Sequence, residues 1–235
     1  MAKNLRKTFL SRAVSWAVLA MGGHALVTMP ALAQTRNPER NAYFGETHVH
    51  TSWSLDSWLG GNRTDPSDAY KYFKGEPIKH PLGYEVKIDT PLDWAGVTDH
   101  SEYVGVIRLA NDPKSPISKL PAAQPLIIKD DTLAAKDKVF QYAVKIMGGP
   151  PVKALMEPSV SATIWKQNVE IANQANEPGK FTAFCSYEWT STPNNMNLHR
   201  NVFFKDCAKV PQMPFTALDS HHPVDLWNWM DTQRK

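Results

Sequence analysis

The order of strand-like and helix-like segments along the 235 residues is the feature that most constrains this fold. Four short runs rich in apolar and aromatic residues predict β-strands; they cover residues 43–50, 92–97, 181–190 and 199–205. Two longer stretches between the second and third runs have helical apolar spacing. Strands that alternate with helices in this way indicate an α/β fold.

The segments between the strands give more specific expectations. Asp65-Pro66 predicts the start of a short helix, and residues 133–147 predict a longer one ended by a Gly-Gly-Pro-Pro run. A further helix is expected to run to about Asn176, with Ser159 or Ser161 as its cap. Residues 75–91 and the proline-rich residues 111–126 are predicted to be loops, and residues 225–235 an amphipathic helix.

The first 33 residues predict a secretory signal peptide. Four basic residues and no acidic ones precede an apolar run at 13–21, and Ala31-Leu32-Ala33 offers a small-residue cleavage site. A membrane anchor is the competing interpretation, but glycines and a proline interrupt the apolar run before it reaches the ~20 residues of a span. We therefore expect a periplasmic or secreted protein with a flexible leader over residues 34–42 and one domain over residues 43–235.

Charge argues against two classes of partner. Without residues 1–33 the chain keeps 22 basic and 23 acidic residues, a net charge of −1 instead of +3. Such a surface has no positive field for nucleic acid or acidic membranes. A small-molecule substrate is the expected partner.

The two cysteines allow two interpretations. Cys185 and Cys207 can pair in an oxidising compartment, or they can be unrelated buried thiols. The sequence leaves both open.

Histidines at two predicted strand ends indicate a metal site. His48 and His50 are two residues apart on a strand, so both imidazoles point to one face. His100 follows Asp99 at the end of the next strand, where α/β folds place their sites. Taken singly, each of these histidines is equally explained as a solvated loop residue.

A hairpin supplies the remaining candidates. Glu188 lies in an aromatic run, where a carboxylate is costly unless it is paired or binds a metal. If residues 181–190 and 199–205 form a hairpin, His199 returns to the neighbourhood of Glu188. Exposure of Glu188 to solvent and a salt bridge to Arg200 are the alternatives. The whole set is made of nitrogen and oxygen donors, which suit zinc, manganese or iron at an open, catalytic site.

Three stretches resemble motifs of the PHP (polymerase and histidinol phosphatase) superfamily, and within it a group of secreted bacterial proteins known as a domain of unknown function. The stretches are "GETHVHTSWSLD", "GVTDHSEY" and "YEWTSTPNNMNLHRNVFF". The resemblance implies a distorted (β/α) barrel with two or three divalent ions at the strand ends. It further implies that His48, His50, Asp56, His100 and His199 are ligands, that Glu188 bridges ions, and that Thr98 and Asp99 support them.

The chain departs from the superfamily pattern towards its end. The later histidine or cysteine and the terminal D-x-H of the superfamily have no counterpart, and His221-His222 reads as a solvated loop before a helix. We therefore expect an incomplete PHP-like barrel that is the N-terminal part of a longer protein. The missing ligands argue against activity of this part on its own.

The leading functional hypothesis is a metal-dependent phosphoesterase in which bound ions activate water. Arg200, and second to it Arg63, are candidates to contact a phosphoryl oxygen. An amidohydrolase-like enzyme is one alternative, although T-D-H on the second strand argues against it. A non-catalytic periplasmic metal-binding or interaction protein is the other.

Overall fold

A computed structural model describes residues 41–234 as a mixed α/β fold. The predicted signal peptide and residues 34–40 of the predicted leader lie outside the described residues. The strands are β1 (Gly45–Glu46), β2 (Ile78–Lys79), β3 (Glu85–Val86), β4 (Trp94–Gly96), β5 (Thr182–Trp189) and β6 (Arg200–Phe204). The helices are α1 (Leu55–Leu59), α2 (Pro66–Phe73), α3 (Val106–Ala110), α4 (Leu133–Met147), α5 (Pro158–Ala175) and α6 (Pro223–Gln233).

Four of these strands form the main sheet, in the order β1-β4-β5-β6. The first three are parallel, and β6 runs antiparallel to β5. Strands β2 and β3 form a separate antiparallel pair. The predicted α/β class is confirmed, but the sheet formed by residues 41–234 is open and does not close into a barrel.

Strand β5 is the centre of the sheet because it is the longest strand and has a partner on each side. Its last five residues are all buried, as expected of a strand covered on both faces. Its neighbour β4 ends at Gly96, where an added Cβ would lie 2.5 Å from both the Phe203 ring and the Ser186 hydroxyl. Glycine at the end of β4 therefore leaves room for these side chains of β5 and β6.

The helices pack in three groups. Helices α2 and α5 cover β4 and β5, and α5 and α6 pack against the end of β5 and β6. Helices α1, α3 and α4 build a third apolar cluster with each other and with the proline-rich segment. None of the helices in residues 41–234 combines the length and hydrophobicity needed to cross a bilayer.

Two predicted helices have the expected starts. Helix α4 has the predicted bounds, and the Thr132 hydroxyl caps its first turn by accepting from Ala135 N–H. Helix α2 begins after Asp65, whose side chain accepts from the backbone N–H groups of Ser67 and Asp68. Both starts follow from side-chain oxygens placed beside the free N–H groups of a first turn.

The predicted cap of α5 is wrong. The helix begins at Pro158 after Glu157, so Ser159 and Ser161 lie inside its first turn. The Ser161 hydroxyl donates to a backbone carbonyl of the preceding turn. Proline, whose fixed φ and missing N–H suit the first helical position, sets the start instead.

Two predicted loops contain regular structure. Residues 111–126 include the 3₁₀ helices Pro116–Lys119 and Pro121–Leu126, each begun by a proline. Residues 75–91 include the short pair β2 and β3. The last helix, α6, begins at Pro223, two residues before the predicted start.

A disulfide joins the two cysteines and settles the choice that the sequence left open. Cys185 in β5 and Cys207 beyond β6 are bonded, with their Cα atoms 5.5 Å apart. The bond encloses the β5–β6 hairpin. In the chain-entropy model, a disulfide that closes a loop of this length raises the free energy of unfolding by about 3 kcal/mol.

We expect the double substitution Cys185→Ala and Cys207→Ala to lower the free energy of unfolding by about 3 kcal/mol. Urea unfolding of the oxidised protein measures the change, and reductant should destabilise the wild type but leave the double variant unaffected. Two titratable thiols in denatured protein isolated from an oxidising compartment would contradict the disulfide.

Candidate metal centre

The carboxyl ends of β1, β4 and β5 meet at one edge of the sheet because the three strands are parallel. The predicted strand over residues 43–50 is shorter than expected: β1 covers only Gly45–Glu46, and the chain beyond it runs beside β4 without being part of a strand. Thr98 N–H donates to the Val49 carbonyl at 2.8 Å, and Val49 N–H donates to the Thr98 hydroxyl at 2.9 Å. These two bonds hold the segment with His48 and His50 beside the segment that leads to His100.

His100 and Glu188 are direct neighbours on adjacent parallel segments. Glu188 N–H donates to the Asp99 carbonyl at 3.0 Å, and Ser101 N–H donates to the Glu188 carbonyl at 2.9 Å. Paired residues on adjacent strands point to the same face. The sheet register therefore brings this imidazole and this carboxylate together.

The predicted hairpin is confirmed and brings His199 to the same face. Glu188 pairs with Asn201 across β5 and β6, and His199 lies two residues before Asn201. The Asn201 amide also donates to the Thr47 carbonyl at 2.8 Å, which fastens the segment with His48 to β6. Glu188 faces these residues and is buried, so solvent exposure and an Arg200 salt bridge are not its role here.

Four imidazoles surround the Glu188 carboxylate, which is only 1% exposed. Its Oε1 lies 3.2 Å from Nε2 of His48 and 3.4 Å from Nδ1 of His199. Its Oε2 lies 3.3 Å from Nε2 of His50 and 2.5 Å from Nδ1 of His100. Each carboxylate oxygen thus contacts imidazoles from two separate segments.

Asp56 is the second carboxylate of the group. It lies in α1, and its Oδ2 is 2.9 Å from Nδ1 of His50 and 3.6 Å from Nε2 of His100. We call the full set the histidine–carboxylate cluster; its members are His48, His50, Asp56, His100, Glu188 and His199. Four members are wholly or partly buried, whereas the side chains of His48 and Asp56 are 58% and 47% exposed at the mouth.

The spacing of the donor atoms suits shared ions. Two donors about 2.1 Å from one tetrahedral ion lie roughly 3.4 Å apart, close to most of the nitrogen–oxygen distances in the cluster. Three overlapping triads have ligand atoms within 4.8 Å of one another, and each could hold a metal ion. They are His48 with His50 and Glu188, His50 with Asp56 and His100, and His100 with Glu188 and His199.

Two buried nitrogens add a second indication of a ligand. Nε2 of His199 has no hydrogen-bond partner among the described residues, and Nε2 of His50 has only its 3.3 Å contact with Oε2 of Glu188. Buried polar atoms in proteins are normally satisfied. In its neutral form, such a nitrogen can bind a metal ion or accept a hydrogen bond.

The mutual contacts shift the pKa values of the histidines. Burial would lower the pKa of His100, but contacts with the carboxylates of Asp56 and Glu188 outweigh it and raise the pKa to about 10. The same balance raises the pKa of His50 to about 9. Without a metal, both imidazoles are therefore cationic at neutral pH.

The carboxylates shift the opposite way. Burial would raise the pKa of Glu188, but its contacts with His100, His199 and His50 hold that pKa well below its usual range. Contacts with His100 and His50 likewise lower the pKa of Asp56 against the effect of burial. Asp56 and Glu188 are therefore carboxylate anions at neutral pH.

Asp99 holds the turn that follows His50. Its Oδ1 accepts from Thr51 N–H and its Oδ2 from the Thr51 hydroxyl, both at 2.6 Å. The Ser54 hydroxyl accepts from His100 N–H at 2.9 Å. Burial raises the pKa of Asp99 above its usual value despite these bonds. Asp99 thus holds the backbone next to His50 and is not itself a member of the cluster.

Glu102 is a buried residue that was not predicted from the sequence. Its Oε1 accepts from Thr190 N–H at 3.2 Å and from Ala217 N–H at 2.6 Å. Glu102 thereby links the end of β5 to the turn at Ala217, which lies 115 residues after Glu102 in the sequence. The only signal in the sequence is a carboxylate two residues after the T-D-H motif.

The other predicted site residues lie outside the cluster. Arg200 is exposed, and its guanidinium donates to the His199 carbonyl at 2.7 Å. Arg63 stacks on Trp58 and lines a separate cavity of about 540 Å³ that includes no member of the cluster. His222 is exposed, as predicted, whereas His221 is partly buried beside Ser191.

Comparison with known proteins identifies one family. The sequence profile described as "Protein of unknown function (DUF3604)" matches residues 37–235. No curated protein and no solved structure matches the chain.

We expect Glu188→Gln to bring the pKa of His100 down from about 10 towards its ordinary value of about 6.5, because the substitution removes the contacting negative charge. An NMR titration of the histidine rings in metal-free protein measures this change. Glu177→Gln is the matched control, since Glu177 pairs with Lys74 on the surface. An unchanged His100 titration in the Glu188 variant would contradict the geometry of the cluster.

Proposed function

The chain belongs to the DUF3604 family of proteins of unknown function, and we propose that it is a metal-dependent hydrolase that acts on phosphoesters. The observation that carries the proposal is the buried Glu188 carboxylate in contact with four imidazoles from three segments of the chain. A buried carboxylate surrounded by histidines at the carboxyl ends of parallel strands is a typical metal-centre arrangement.

The residues present fit divalent ions such as zinc, manganese or iron. The donors are imidazole nitrogens and carboxylate oxygens, and the buried Nε2 of His199 has no hydrogen-bond partner among the described residues. His48, His50 and Glu188 would hold one ion, and His100, His199 and Glu188 a second. Asp56, placed between His50 and His100, would complete the coordination of either ion or of a third.

The chemistry follows from this donor set. When bound, the ions would supply a water of lowered pKa and positive charge opposite the phosphoryl oxygens. The protein's part is to place Glu188 between the two histidine pairs and to hold Asp56 against His50 and His100. Arg200, beside His199 and open to solvent, is positioned to reach a substrate oxygen after a change of rotamer.

Other features agree with the resemblance to the PHP superfamily. The H-x-H, T-D-H and hairpin motifs all reach the same edge of the sheet, as ligands do in a PHP-like barrel. We extend the proposal to that fold, with the open sheet as part of such a barrel. The disulfide supports an oxidising location, which suits the predicted signal peptide and a periplasmic or secreted protein.

Metal binding is expected to release protons. Because His50 and His100 have pKa values of about 9 and 10 without metal, loading the full chain with Zn²⁺ or Mn²⁺ at pH 7 should release about two protons. The apparent affinity should rise with pH between 6 and 9 as competition from protons weakens. Titration calorimetry in buffers of different ionisation enthalpy gives the proton count.

The control for this experiment is His222→Ala, which removes an exposed histidine outside the cluster and should alter neither the affinity nor the proton count. Binding that is independent of pH and releases no protons would show that the metal lies elsewhere.

Hydrolysis tests the function directly. The metal-loaded full chain should hydrolyse generic aryl phosphate monoesters or diesters, and Glu188→Gln should reduce kcat/KM by about 100-fold or more, since even outer partners of metal ligands cost 10–100-fold. His222→Ala should keep wild-type activity.

Three other results have distinct meanings. Hydrolysis of amides or lactones but not phosphoesters would assign an amidohydrolase-like activity. Tight metal binding without turnover of any of these substrates would assign a metal-binding protein. Failure to bind metal at all would overturn the proposed centre.

A further inference from the structure

We propose that the uncharged organic group of the substrate binds in an apolar pocket between α4 and the histidine–carboxylate cluster, so that the preferred substrates are phosphoesters of ring-sized, apolar alcohols. This inference rests on the proposed function, because it assigns the substrate class of the same site.

The pocket is continuous with the cluster. It is a cavity of about 230 Å³, and three cluster members form one of its walls. The cluster members are Asp56, His100 and His199, and the apolar lining opposite them comes mainly from Phe140, Val144 and Met147 of α4. A molecule that occupies this cavity is therefore in contact with the proposed metal ligands.

Helix α4 presents an apolar stripe to the pocket. Phe140, Val144 and Met147 are spaced by four and three residues and so share one side of the helix. Phe140 is 43% exposed and Val144 is 40% exposed, although both are large apolar residues. The stripe therefore has apolar surface that the described residues leave uncovered, and covering it with a ligand releases water favourably.

A different side of α4 already packs in the core. Val139, Ala143 and Ile146 are buried in the cluster that α4 forms with α1 and α3. Core packing thus accounts for those three positions but not for Phe140 and Val144. An apolar ligand accounts for the second set.

The end of α4 is tied to the segment that carries His100. The Tyr103 hydroxyl donates to the Ile146 carbonyl at 3.4 Å and accepts from Val152 N–H at 2.9 Å. Tyr103 lies three residues beyond His100. These bonds therefore restrain the end of the apolar stripe relative to the segment that carries His100.

The polarity of the lining defines the class of ligand. No lysine or arginine lines the cavity, so nothing inside it neutralises a second anionic group. The polar lining residues outside the cluster are two threonines and one asparagine, which suit at most a few neutral hydrogen bonds. A charged phosphoryl group belongs at the cluster, and the group that extends towards α4 is uncharged.

The volume sets the size. An apolar cavity of about 150 Å³ binds benzene in a protein interior. The cavity beside the cluster therefore holds one aromatic ring or a branched alkyl group of similar size.

The test compares two ligands that differ only in the apolar group. Benzylphosphonate should bind the metal-loaded full chain about tenfold more tightly than methylphosphonate, measured by titration calorimetry. Phe140→Ala and Val144→Ala should each remove most of that preference while the affinity for methylphosphonate stays unchanged. Leu133→Ala is the matched control, because Leu133 is an 85% exposed apolar residue of α4 outside the pocket.

Turnover supplies the second readout. Benzyl phosphate should show a kcat/KM about tenfold above that of glycerol phosphate, whose alcohol has similar acidity, and Phe140→Ala should lower only the benzyl value. Equal affinity for the two phosphonates, or binding of neither, overturns the pocket. Retained benzyl preference without hydrolysis of either ester overturns the phosphoesterase and supports the pocket as a binding site.

Discussion

The burial of one carboxylate governs the rest of this structure. Glu188 lies in the central strand with almost no contact with water, and an isolated charge in such a place would be strongly destabilising. Four imidazoles and, through two of them, Asp56 offset that cost. Because these groups come from segments far apart in sequence, the cluster can form only when strands β1, β4, β5 and β6 are all in register.

Several buried polar residues hold the segments of the cluster in place but are not members of it. Thr98 and Asp99 hold the segment after β1, and Glu102 connects the end of β5 to the turn near Ala217. The side chains of Thr98 and Glu102 each bond to two backbone groups, and that of Asp99 bonds to the N–H and the hydroxyl of Thr51, so all three fix the course of the backbone. The cluster therefore lies on a braced strand edge, which suits a site whose donors must hold their separation while a ligand binds.

Local patterns allowed much of the centre to be predicted. The H-x-H spacing, a histidine at a strand end and a hairpin around Glu188 each follow from short-range periodicity. Helices α1 and α3 were missed because five residues give too little periodicity, and the cap of α5 was wrong because Pro158 outweighed nearby serines. Glu102 and the apolar stripe of α4 depend on distant contacts, which no local pattern contains.

The disulfide has a consequence for the register of the β5–β6 hairpin. A slip of one residue between β5 and β6 would turn Glu188 and His199 to opposite faces, since side chains alternate along a strand. The bond from Cys185 to Cys207, just beyond β6, closes the other end of the same hairpin and opposes that slip. Joining the two thiols therefore favours the strand alignment that keeps Glu188 and His199 on one face, independently of any ligand.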